Sequence, residues 1–414
     1  MREAMSGEKS LILCGGTYLN KGGAAIAYGT LKVLKELAID FKYIIDPEPF
    51  FPFDLLDVVP IYRFSDTLTT NSLLSVNPIY TYKPFLKCLI KSHKSEIKLL
   101  RGKPIWHIGD SPFSDKRSVL SVIGQVIALQ TLKAATNGKV IIGGISLEYP
   151  RTKIGKLILQ HFFRKNADYL FVRGKETYAT LQELGVPSEK ISMICDFAFY
   201  LDKKESEETK NLSKLIREAN KPAVALIFRE YSYGRHRAKY IEGIKKFASK
   251  LEEHDCKVFF IPTSYSYLLP ENDQIFLEKV VGVDTRQIIN IKDFCPEEII
   301  SIFSNFDVVI SARLHGAVYG ALANVPTIHL YEDRKSLEVI GNVFGNAIPL
   351  IKLFDFAEGN ESNEIARIVG NLLRKKNEIS FEIKSRLKTT RENSIGKLRC
   401  VLLEEKHLLE ETNK

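Results

Sequence analysis

The stretch Val308–Tyr331, VVISARLHGAVYGALANVPTIHLY, limits the fold more than any other part of the chain. A short apolar run, Val308–Ser311, reads as a buried strand. The small residues Gly316–Ala323 read as a helix lying close on a sheet. Asn324-Val325-Pro326 turns the chain, and a second apolar run returns as a strand. Two strands joined by so tight a helical crossover pair in parallel, and parallel sheets are covered by helices on both faces. The loop after the first strand carries Arg313 and His315. A strand-to-helix junction offers free backbone N–H groups and a positive helix end. Arginine adds a permanent cation there, and histidine a proton-transfer group. The stretch therefore predicts a place for an anionic substrate.

The same alternation runs through the rest of the chain. Leu11–Gly16 reads as a strand, Thr17–Gly23 as a glycine-rich loop, the residues from about Ala24 to Leu37 as a helix, and Phe41–Ile45 as a strand. Glu48–Asn77 is irregular but apolar enough to be a folded excursion or lid, and Pro84–Leu100 reads as a helix. Strands are expected at Pro104–Ile108, Val140–Ile142, Tyr169–Val172 and Ile191–Cys195, with helices between them. The pattern stops at Leu201–Lys221, which is highly charged, and restarts at Ala223–Phe228. Strands follow at Lys257–Pro262 and Ile288–Asn290. The chain has 414 residues, enough for two domains. The expected division is an N-terminal Rossmann-like domain over 1–205, a charged hinge over 206–220, a second Rossmann-like domain over 221–360, and charged helices over 361–414. The fold class is α/β, with two parallel sheets and a site in the cleft between the domains.

Charge and cysteine usage bound the partners. The net charge of +9 favours an anionic partner. The basic residues are spread out and no nucleic-acid module is legible, so a nucleic acid is not expected. The six cysteines, at 14, 88, 195, 256, 295 and 400, form no Cys-x-x-Cys pair and several fall in apolar strands. They read as buried thiols in a reducing compartment. No apolar run approaches the roughly 20 residues of a membrane span. The expected location is cytoplasmic, with a peripheral contact at the inner membrane face left open by the basic surface. No carboxylate, histidine or cysteine spacing suggests a metal.

Several residues can carry chemistry. Arg313 can hold a carboxylate or phosphate by paired hydrogen bonds, and His315 can donate or accept a proton near neutral pH. In the loop Gly15–Gly23, Gly16 lets the backbone approach a ligand and Asn20 offers a polar contact, ahead of a helix N-terminus. Asp110, Arg173, Asp196 and Arg229 each stand at or just past a strand's carboxyl end, where open parallel sheets bind ligands. Asp110 could deprotonate a hydroxyl and Arg229 could pair with a phosphate. Lys335 is a further cation beyond the last strand of the opening stretch.

In order along the chain, these pieces resemble the polysaccharide pyruvyl transferase family. They are Gly15-Gly16 with Asn20 and Ala25-Ile26; Val172-Arg173-Gly174-Lys175-Glu176-Thr177 with Leu181 and Leu184-Gly185-Val186; Cys195-Asp196-Phe197-Ala198-Phe199; and Ile310-Ser311-Ala312-Arg313-Leu314-His315 with Ala317, Ala321 and Val325-Pro326. The resemblance spans roughly residues 11–340. It implies a fold like that of GT-B glycosyltransferases, and transfer of a pyruvyl group from phosphoenolpyruvate to sugar hydroxyls of a cell-surface polysaccharide or its precursor, forming a cyclic ketal. No cofactor is implied, since phosphoenolpyruvate is the donor substrate. By the resemblance His315 is the general acid, Arg313 and Arg229 clamp the donor's anionic groups, Asp110 is a base, and Leu314 offers a backbone N–H. Gly16, Asn20, Arg173, Thr177, Ser311 and Lys335 complete the expected substrate contacts. The alternatives are a GT-B-type glycosyltransferase using a nucleotide sugar, for which Glu332 or Asp333 could hold a ribose, and a non-catalytic relative.

Overall fold

The computed structural model of the chain describes residues 10–15, 18–46, 59–63, 100–109, 113–115, 119–218, 220–230, 236–265, 271–357, 362–405 and 408–409. The chain divides into two compact units. One comprises Met1–Tyr18, Gly29–Phe197 and Glu392–Lys414, and the other Leu19–Tyr28 and Ala198–Arg391.

The first unit is built on a parallel sheet of seven strands: β1 (Ser10–Cys14), β2 (Asp40–Asp46), β3 (Val59–Arg63), β4 (Ile105–Ile108), β5 (Val140–Ile145), β6 (Tyr169–Val172) and β7 (Ile191–Met193), in the order β3-β2-β1-β4-β5-β6-β7. The strand order reverses between β1 and β4. Strands β4, β5 and β6 are buried along their whole length, as unbroken apolar runs such as IWHI and YLFV require when helices cover both faces. The helix expected over Pro84–Leu100 and most of the excursion over Glu48–Asn77 lie outside the described residues, apart from Leu100 and β3.

The second unit repeats the plan with five parallel strands: β8 (Ala223–Ile227), β9 (Lys257–Phe260), β10 (Val308–Ser311), β11 (Thr327–Tyr331) and β12 (Leu350–Lys352), in the order β12-β11-β10-β8-β9. The strand expected at Ile288–Asn290 is reduced to one parallel bridge between Phe260 and Ile288, on the far side of β9. With that remnant counted, the order is that of a dinucleotide-binding sheet, reversing between β8 and β10. Phe228, Tyr240, Phe247 and Phe356 pack together beside the sheet, with the Phe228 and Phe356 rings stacked 5.4 Å apart.

Two boundaries differ from the sequence reading. The charged stretch at 206–220 is not a hinge: it forms the helix Glu207–Arg217 inside the second unit. Ser206 caps it by accepting from the Thr209 N–H, Thr209 reciprocates, and Glu207 and Glu208 lie in the first turn. That distribution of charge stabilises a helix start. The C-terminal helices do not form a separate tail either. Ser362–Arg374 belongs to the second unit, and the long helix Lys376–Arg399 contributes residues to both.

Candidate active site

The second unit places its charged residues at the reversal of strand order. Ile227 of β8, Ser311 of β10 and His329 of β11 form one row across three neighbouring strands. Two residues past that row, beyond the ends of the adjacent strands β8 and β10, stand Arg229 and Arg313. Here the crossovers on either side diverge and leave a crevice at the carboxyl edge.

The helix after β10 starts earlier than the sequence suggests. It spans Leu314–Leu322 with Arg313 as its N-cap residue, so His315 lies in the first turn rather than in a loop. The small residues explain this. A Cβ on Gly316 would stand 2.3 Å from the Ser311 Oγ, and one on Gly320 would stand 2.3 Å from the Thr327 Oγ1. Only glycine lets the helix lie so close to its strand. Ser311 seals the junction: its hydroxyl donates to the Arg313 carbonyl at 2.6 Å and accepts from the Arg313 N–H at 3.1 Å. Leu314 therefore opens the helix.

Arg313 is held by Asp273. The guanidinium donates through Nε and Nη2 to both carboxylate oxygens. Asp273 is fully buried and also accepts from the backbone N–H groups of Thr263 and Ser264 and from the Thr263 hydroxyl. The sequence reading missed Asp273, because nothing in an isolated aspartate at a helix start distinguishes an ion-pair partner from a cap. Arg229 pairs with Glu332, and its carbonyl accepts from the Tyr240 hydroxyl at 3.1 Å. Beneath the crevice, the buried His329 donates from Nδ1 to the Ser311 carbonyl at 2.8 Å, and its Nε2 accepts from the Ser336 hydroxyl at 2.9 Å. Ser336 ends the single turn Arg334–Ser336, capped by Asp333, which carries the half-buried Lys335.

The Asn20 turn is also part of this unit, not of the domain expected over 1–205. The Asn20 side chain accepts from the Gly22 N–H at 3.0 Å, and Asn20 bridges to Ser264. Lys21 is fully buried: its N–H donates to the Thr263 carbonyl at 2.9 Å, and its ammonium donates to the Phe294 carbonyl at 3.1 Å. Burial pushes the Lys21 pKa down to about 8, against the pull of Asp293. The Lys21 carbonyl accepts from the Tyr319 hydroxyl at 2.7 Å. Gly22 meets His315 directly, since a Cβ on it would stand 2.5 Å from the His315 Nδ1. His315 and Tyr319, one helical turn apart, thus face Lys21 and Gly22, which open the helix Lys21–Glu36 rather than lying in the expected loop.

The remaining expected residues lie elsewhere. In the first unit, Arg173 donates to Asp196 at 2.5 Å and to the Ser146 hydroxyl at 3.0 Å, with both charged side chains fully buried. Thr177 is buried and accepts from the Leu147 N–H at 2.9 Å. Both therefore hold that unit's interior together, and neither presents its polar group at an open surface. Gly16 and Asp110 lie outside the described residues.

Buried histidines give the chain an acid limit. Burial pushes the pKa of both His107 and His329 down to about 4. Between about pH 6.5 and 4 the unfolded chain binds a proton at each that the folded chain refuses. Stability is then expected to fall as the pH drops through that window, by up to ~1.4 kcal/mol per pH unit for each histidine. Urea unfolding across this range checks it, and a midpoint independent of pH would contradict it.

A family model described as polysaccharide pyruvyl transferase matches residues 20–334. No curated protein sequence matches the chain significantly. Among solved structures, the chain is similar to Neisseria meningitidis UDP-GlcNAc 2-epimerase bound to UDP-GlcNAc, with a TM-score of 0.60 and 12% identity over 96% of this chain and 100% of that one. Anabaena HepE in complex with UDP-glucose gives a TM-score of 0.55 and 12% identity over 94% and 99% of the two chains. Methanocaldococcus jannaschii UDP-GlcNAc 2-epimerase gives 0.53 and 17% over 92% and 99%. These likenesses establish an α/β fold of two Rossmann-like domains of the GT-B kind.

Proposed function

This chain belongs to the polysaccharide pyruvyl transferase family, and on that premise we propose that it transfers a pyruvyl group from phosphoenolpyruvate to two hydroxyls of a glycan or lipid-linked sugar. The observation that carries the reading is the placement of Arg313 and His315 at the β10 exit, beside Arg229, in the crevice where the strand order reverses. Phosphoenolpyruvate has a carboxylate and a phosphate, and a site for it wants more than one cation. Arg313 offers the guanidinium N–H groups that Asp273 does not use. Arg229 and Lys335 supply further positive charge.

In this mechanism His315 protonates the methylene carbon of the donor. Its C2 becomes cationic and is attacked by one sugar hydroxyl, whose proton passes to a base, in our proposal Asp110. A second hydroxyl then displaces phosphate from the same carbon, its proton passing to the now neutral His315 or leaving with the phosphate, and the cyclic ketal closes. The packing of Gly22 against His315 limits the positions its imidazole can take, which suits an acid that must reach one carbon. The nucleotide-sugar reading has less support, because Glu332 is held by Arg229 and Asp333 caps the Arg334–Ser336 turn.

The test is phosphate release from phosphoenolpyruvate in the presence of galactosyl or mannosaminyl acceptors, with the product's added mass read by mass spectrometry. Stoichiometric phosphate and a pyruvylated sugar are expected. Stabilisation by a nucleotide sugar and none by phosphoenolpyruvate would move the assignment to glycosyl transfer.

A further inference from the structure

The first unit presents an apolar surface ringed by cations. Its centre is the helix Lys153–His161, on which Ile154 and Leu157 are 59% and 66% exposed. Tyr149, at 41%, lies just before it, and Ile127, also at 41%, lies on the helix Val119–Thr136 that packs beside it. The two exposed aliphatic side chains are not needed to fold the helix. Its other face already buries Leu159, and Phe162 and Phe163 continue that core against Phe113, at ring distances of 5.6 and 5.2 Å.

The helix is also firmly fixed. Asp115 accepts from the N–H groups of Arg151 and Thr152 at 2.9 and 2.8 Å, and Thr152 caps the first turn by accepting from the Gly155 N–H. A Cβ on Gly155 would stand 2.7 Å from the Asp115 carboxylate. Ile154 and Leu157 are therefore held outward on a rigid support.

Charge identifies the occupant. Arg151, Lys153, Arg164 and Lys165 are exposed around the apolar centre, and Lys156 lies with its ammonium 5.3 Å from the Tyr149 ring centre. From residue 116 to residue 167 the only acidic side chain is Glu148. A second copy of the chain would oppose these cations with the same cations, which disfavours a two-fold contact. An outward apolar helix face flanked by lysine and arginine suits the boundary of a bilayer: aliphatic groups enter the acyl region and cations meet lipid phosphates. We infer that the surface formed by Tyr149, Ile154, Leu157 and their flanking cations docks this protein onto an anionic membrane. Tyr149 and the start of the helix follow the carboxyl end of β5, the sheet edge at which the first unit would receive its acceptor. A sugar carried on a lipid would then be presented to that edge.

Co-sedimentation of the full chain with vesicles tests this, comparing phosphatidylcholine alone with phosphatidylcholine containing phosphatidylglycerol. Binding to the anionic vesicles only is expected, weakening as salt rises. The double variant Ile154→Ser/Leu157→Ser, and separately Lys153→Gln/Lys156→Gln, should each lower partitioning about tenfold or more. Ile154, Leu157 and Lys153 are exposed and Lys156 is half-buried, and neither variant removes a core side chain, so both should keep the parental urea midpoint. Equal binding to neutral vesicles, no binding to either, or unchanged binding by the variants would overturn the inference. So would a concentration-dependent dimer that Ile154→Ser dissolves, which would assign the patch to a second copy. Vesicle binding reads no phosphate release, so its failure leaves the transfer reaction untouched.

Discussion

Replacing His315 by alanine is expected to lower phosphate release from phosphoenolpyruvate by ~10²–10⁴-fold, the usual contribution of a positioned general acid. The loss should fall on kcat, because His315 is proposed to act on the donor's carbon and not to hold its anionic groups. The fold should survive. The Tyr319 hydroxyl bond to the Lys21 carbonyl and the Ser311 bonds at the helix start do not involve His315. Thermal stabilisation by phosphoenolpyruvate should persist in the variant. Release at the parental rate would remove His315 from the mechanism, whatever the fate of the rest of the site.

Asp273→Asn should damage both stability and donor binding. A carboxamide presents two N–H donors where Arg313 needs acceptors, and it weakens the bonds from Thr263 and Ser264. Removing one partner of a buried ion pair costs ~3–5 kcal/mol. Arg313 is 19% exposed, so the lower part of that range is expected. The freed guanidinium would also lose its orientation and raise KM for phosphoenolpyruvate at least about tenfold. Urea unfolding and initial rates measure the two effects separately. A variant with unchanged midpoint and unchanged KM would show that Asp273 positions nothing that matters to the donor.

The sequence pattern made the sheets legible because their strands are short apolar runs buried on both faces, separated by helices of ordinary length. It identified the β10 exit because Arg313 and His315 are followed at once by small residues, and those glycines are what bring the helix onto its strand. It could not show Asp273 or Glu332, since a partner 40 or 103 residues away in sequence is found only once the chain is folded. Nor could it separate Arg173 from Arg229. Both follow apolar strands and both pair with a carboxylate, but the Arg173 and Asp196 side chains are fully buried, whereas the Arg229 side chain is 30% exposed at the carboxyl edge of the second sheet. The charged segment after Leu201 was misleading for a related reason. High charge with a serine cap and leading glutamates is as much the composition of a surface helix as of a linker.

Membership of Leu19–Tyr28 in the second unit has a consequence for synthesis. The lysine that anchors this segment is made early, but its acceptor at Phe294 follows 273 residues later and the tyrosine that holds its carbonyl 298 residues later. At about 5–20 residues per second on the ribosome, the segment waits roughly 15–60 s for the surface it docks onto. Its buried ammonium stays solvated until then. The second unit therefore cannot be completed from its own contiguous sequence: a fragment beginning at Ala198 would lack the turn that packs His315, and supplying a peptide covering Leu19–Tyr28 in trans is the direct way to restore it.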